Sequence, residues 1–75
     1  MATDETQTAE AWIASFAELL GADAPAAETV ATLLELAAVA AHASERTAAP
    51  IACWLAGHAG TSPAAALATA QSLRP

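Results

Sequence analysis

Residues 32–60 read TLLELAAVAAHASERTAAPIACWLAGHAG. Apolar residues recur at helical spacing up to Ala43, a polar elbow follows over Ser44–Ala49, and a second helical pattern opens at Pro50. A proline in the first turn of a helix loses no hydrogen bond, because its missing N–H would have had no partner there. In the helix before the elbow, Val30, Leu33, Leu34, Ala37 and Ala41 share one face, and Leu36, Val39, Ala40 and Ala43 extend the apolar surface to a second. A helix apolar over more than one stripe is central in its bundle, and Leu34 is expected at the heart of that core. After the elbow, Ile51, Trp54, Leu55 and His58 follow at i, i+3, i+4 and i+7, the spacing of one buried face.

Upstream, Trp12, Ile13, Phe16, Leu19 and Leu20 make an amphipathic stripe. Asp4 can cap that helix with Gln7 in capping-box register, and Thr8 offers a later start. Gly21 is placed to end it in a left-handed cap. In the connector 22–27, Asp23 either caps a short turn at Pro25 or precedes a helix that starts near Glu28 or Thr29. Downstream, Ser62-Pro63 is a restart, with Ser62 as N-cap and Pro63 as first helical residue. No β-period and no repeat appears. The expectation is all-α: a compact bundle of four short helices near 5–20, 28–43, 50–59 and 63–72, in one domain over residues 1–75 with residues 1–4 as a tail. Trp12 and Trp54 are expected in its core.

The formal net charge is −6, with two arginines and no lysine. A nucleic-acid partner needs a basic face, and two arginines cannot make one; an anionic membrane is disfavoured on the same ground. All eight acids precede Arg46, and from Thr47 onward Arg74 carries the only charge. The second half is therefore either an alanine-rich buried half or, in part, a face for another chain, including a second copy. One cysteine forms no internal disulfide. The acidic start MATDETQTAE is no secretory signal, and no run reaches the length of a membrane span. A cytoplasmic protein is expected.

The chemistry-bearing residues are sparse. Glu35 and His42, or Cys53 and His58, lack the paired spacing of a metal site, so no metal and no cofactor is expected. Cys53 has no base beside it and reads as an inert core thiol. No catalytic set of residues is present, and no enzymatic activity is expected. His42 and Arg46, four apart, admit two readings. In one, both complement the helix's terminal carbonyls, with Arg46 paired to Glu45 or Glu35. In the other they form, with the backbone N–H groups at Ile51–Cys53, a weak anion or docking site. Trp54 is the aromatic that would anchor a partner at such a site.

Taken together, Trp12, Leu33-Leu34-Glu35-Leu36-Ala37, Ala41-His42, Arg46 to Ala49-Pro50, Trp54-Leu55-Ala56-Gly57 and the alanines from Ala64 resemble a small all-helical domain family of unknown function from high-GC bacteria. The match covers about residues 8 to 73, and the His42…Arg46…Pro50 spacing is its most specific part. The chain departs from the family pattern at Thr47, where a proline often follows the arginine, and in its acidic N-terminal extension. Such domains are often encoded beside, or fused to, molybdenum-cofactor guanylyltransferases. The resemblance thus implies an accessory domain that docks on such an enzyme; the alternative is a self-associating helical module with no ligand.

Overall fold

Helix ends in this chain are set by a few local hydrogen bonds. The computed structural model describes residues 8–73. Helix α1 spans Ala9–Leu20, α2 Ala27–Ala43, α3 Ala48–His58 and α4 Pro63–Gln71. Thr8 opens α1, its hydroxyl accepting from the Ala11 N–H at 3.0 Å; the alternative start at Asp4 lies outside the described residues. Gly21 closes α1 with φ at 74°, a conformation that only glycine adopts without strain. Its N–H donates to the Glu18 carbonyl at 3.0 Å, and the Ala22 N–H donates to the Ala17 carbonyl at 2.9 Å. This is the double closure of a helix end by a left-handed residue. No helical turn forms at Pro25, and α2 starts on Ala26 without a side-chain cap. Ser62 caps α4, accepting from the Ala65 N–H at 3.2 Å, with Pro63 as its first residue.

The all-α bundle of four short helices is what forms, with no strand among the described residues. Helix α2 is central, as its two apolar faces predict: it packs along both α3 and α4, which meet each other only briefly. Leu36 sits at the junction and is 2 % exposed. Leu34, expected there, is 65 % exposed instead. Two residues along a helix turn the side chain by about 200°, so burying Leu36 turns Leu34 to solvent. The face that packs carries the half-buried Leu33, Ala37 and Ala40 with Leu36, at i, i+3, i+4 and i+7.

Helix α3 packs the other way round from the expectation. Its half-buried residues are Ala48, Ala49, Ala52, Cys53 and Ala56, while Ile51, Trp54 and Leu55 are exposed. Alanine on the contact face lets two helix axes approach to the short end of the usual 8–10 Å range. The Cys53 thiol lies against α2, donating to the Leu33 carbonyl at 3.9 Å. The alanine face thus takes the inner position, and the large side chains are carried outward. The two tryptophans are corrections of the same kind: Trp12 is 54 % and Trp54 61 % exposed. Among the described residues only Ala17 and Leu36 are buried hydrophobics.

Helix α1 takes no part in this packing. None of its Cα atoms comes within 8 Å of a Cα in another helix. It faces the connector and the start of α2 across a hollow of about 460 Å³ lined by Ala9, Ile13, Ala14, Pro25 and Val30 among others.

These positions separate sharply in urea melts of dilute protein. Leu36→Ala should cost about 2–5 kcal/mol, because it opens a cavity where three helices meet. Leu34→Ala should cost under about 1 kcal/mol and Glu18→Ala under about 0.5 kcal/mol, since both side chains stand in solvent. Equal losses at Leu34 and Leu36 would contradict the packing described.

Candidate interaction surface

The elbow between α2 and α3 is a tight turn made without any left-handed residue. Ser44 ends α2, its N–H reaching the Ala40 carbonyl at 3.1 Å. The Ala48 N–H donates to the Glu45 carbonyl at 2.8 Å and the Ala49 N–H to the Arg46 carbonyl at 3.1 Å. Helix α3 therefore opens at Ala48, two residues before the expected start, and Pro50 is its third residue. Proline still costs nothing in this first turn. Of the groups expected at an anion site, Ala52 and Cys53 stand a full turn inside the helix, where N–H groups bond carbonyls four residues back. The two N–H groups that do open α3 are already engaged with Glu45 and Arg46.

His42 lies in the last turn of α2 and Arg46 in the turn that follows, and both are exposed. Trp54 stands on the outer face of α3 and stacks on His58, one turn further along, with ring centroids 4.5 Å apart and planes 12° from parallel. On α1, Trp12 stacks on Phe16 at 5.0 Å with an angle of 25°. Each pair is a local i, i+4 contact that fixes the aromatic rings as a ridge on the helix surface.

Beside the α3 ridge runs a groove that residue spacing did not reveal. Because α3 and α4 barely meet, a hollow of about 310 Å³ opens between them, floored by Leu36 and flanked by Leu55, Ala56, Ala66, Ala70 and Leu73. A second hollow of about 410 Å³ lies at the elbow, lined by Ser44, Thr47 and Ile51 among others, and shares Ala52 and Leu55 with the first. The two form one apolar trough along α3. No single residue stripe marks it, because its walls draw Ala52, Leu55 and Ala56 from α3 and Ala66 and Ala70 from α4.

Among the described residues no group of three or more His, Cys, Asp or Glu side chains could hold a metal ion, and no described helix is long and apolar enough to cross a membrane. What the surface offers is apolar contact area, with an exposed cationic side chain, Arg46, in the turn that precedes α3.

A family model described as a domain of unknown function, DUF6457, matches residues 4–74. The chain belongs to that family. No curated protein and no solved structure matches it.

The exposure of Arg46 sets an expectation for stability. Arg46→Ala should shift the unfolding free energy by less than about 0.5 kcal/mol, as measured in urea, because the side chain stands in water and contributes little in place. A loss of more than about 1 kcal/mol would show that Arg46 holds the end of α2.

Proposed function

We propose that this DUF6457 chain is a non-catalytic interaction domain, which presents the outer face of α3 to a protein partner. One observation carries the reading: α3 turns Ile51, Trp54 and Leu55 outward, 59 %, 61 % and 54 % exposed, while Leu36 is the only large apolar side chain buried among the described residues. An apolar patch beyond a few hundred Å² is a contact surface far more often than idle exterior. Within it, Trp54 is held in place by its stack on His58, so little side-chain freedom remains to be lost on contact. Trp and Arg are the residue types that most often dominate the energy of an interface, and Trp54 on α3 and Arg46 just before it supply one of each.

The partner we propose is the one the resemblance implies, a molybdenum-cofactor guanylyltransferase, with the domain acting as a cytoplasmic accessory that binds no cofactor of its own. Arg46 would then meet a carboxylate of the partner, where a charge-assisted hydrogen bond is worth about 1.5–3 kcal/mol. Trp54 would fill a pocket beside it. The residues His42, Arg46 and Trp54 thus return as docking residues, with His42 at the rim.

The purified domain, immobilised and challenged with the guanylyltransferase of the same source, tests this directly. The wild-type chain should retain the enzyme. Trp54→Ala and Arg46→Ala should each weaken retention about tenfold or more, a loss of roughly 1.4 kcal/mol, with the helical circular dichroism unchanged. Retention at the wild-type level by both folded variants, or none by the wild-type chain, would sink the proposal.

A further inference from the structure

The four-helix bundle is incomplete within one chain, and the missing part is present on the same chain. Helix α1 carries a ridge of Trp12, Phe16, Leu19 and Leu20, all exposed, and none of its Cα atoms approaches another helix within 8 Å. The α3–α4 trough, floored by Leu36 and flanked by Ile51, Leu55 and Leu73, is covered by no other described helix of the chain. One chain therefore has a helix without a groove and a groove without a helix. We infer that α1 of one copy lies in the α3–α4 trough of a second copy, and the reverse, so that two chains complete two bundles by reciprocal exchange. The inference rests on the interaction-domain reading only in treating exposed apolar faces as contact surfaces; Trp54 lines neither hollow of the trough.

Three features fit a second copy. The first is length. Helix α1 has 12 residues and α3 has 11, or about 18 and 16 Å at the helical rise, so the helix spans the trough end to end. The second is pattern. Trp12, Phe16, Leu19 and Leu20 fall at i, i+4, i+7 and i+8, the anchor spacing of a helix laid into an apolar groove. The third is area. The ridge exposes on the order of 400–500 Å² of apolar side chain and the trough residues about 300 Å². Two reciprocal contacts then cover about 1,400–1,600 Å², within the range of a specific, stable interface. A two-fold exchange also closes on itself, as a chain bearing both halves of one contact requires.

Charge tells a second copy from a basic partner. Each chain carries −6, and Glu10 and Glu18 of α1 lie exposed beside the ridge, with Glu45 at the elbow end of the trough. Like charges meet at the rim of the exchanged dimer, and added salt screens them. Self-association should therefore be unchanged or strengthened from about 50 to about 500 mM salt, whereas docking on a basic surface weakens over the same range.

Sedimentation of the full chain over about a hundredfold range of concentration tests the exchange, with no partner present. The wild-type chain should run as a dimer, or shift from monomer to dimer as concentration rises. Phe16→Glu spoils the helix and Leu55→Glu spoils the trough; both side chains are exposed within one chain, and each variant alone should be monomeric. Mixed in equal amounts, the two variants should form heterodimers, because the intact helix of one fits the intact trough of the other. Leu34→Glu, at an exposed side chain that lines neither hollow of the trough, should dimerise like the wild type. Should the variants lose helical circular dichroism alone and regain it on mixing, the exchange is supported in the same way. A strict monomer at every concentration overturns the inference even where the guanylyltransferase is still retained. So does a dimer that Leu55→Glu leaves intact, or variants that do not recover on mixing. A dimer that ignores the guanylyltransferase supports the exchange and removes the proposed partner instead.

Discussion

The packing of small side chains against α2 governs the rest of this structure. Leu36 is enclosed because α3 and α4 both come close to α2, and on α3 the approach is made through alanines and Cys53. Close approach has a cost in area. An alanine removes about one methyl group from water, worth roughly 0.8 kcal/mol, against about 1.5–3 kcal/mol for a leucine or phenylalanine. The tight seam therefore holds the helices in place while contributing little burial per residue. The same choice of face turns Ile51, Trp54 and Leu55 outward. A close seam and an apolar exterior are two results of one packing arrangement.

What was legible in the sequence was local. Gly21 and Ser62 mark helix ends through hydrogen bonds that span three to five residues, Pro63 through its fixed φ, and each appears where the residue types place it. The centrality of α2 was legible too, since a helix with two apolar faces needs two neighbours. The choice of face on α3 was not. That helix carries a stripe of large residues and, rotated from it, a stripe of small ones, both at helical period. Periodicity shows that each stripe is a face without ranking them. Steric fit against α2 ranks them, and that is a property of the assembled helices. Leu34 and Leu36 pose the same problem two residues apart: both lie on apolar faces of α2, and the neighbours decide which is enclosed.

The candidate site divides along the same line. His42, Arg46 and Trp54 are single residues of recognisable chemistry, and the turn that carries Arg46 was readable from its polar run. The trough was not, because it is a gap between α3 and α4, made by their brief meeting and by the small side chains along its walls. Helix starts carry a smaller version of this limit. Pro50 marked a first turn correctly, yet the carbonyls of Glu45 and Arg46 draw the helix back to Ala48, and no residue type at 48 announces that.

The charge distribution fits a molecule whose α1 ridge and α3–α4 trough meet each other and no other surface. An α1 ridge and an α3–α4 trough on one chain are complementary, and complementary faces joined head to tail without closure grow into filaments. Reciprocal exchange between two chains engages both faces at once and leaves neither for a third. Every acid precedes Arg46, and Glu10 and Glu18 are exposed on α1 itself, so each added copy would bring more negative charge to the rim of the interface. Two copies meet that repulsion across one closed interface, where the burial of apolar area offsets it. A growing filament would meet it again at every step, with a single ridge seated in a single trough to set against it each time. Acidic flanks beside an uncharged ridge thus leave the apolar pairing in place and penalise its repetition.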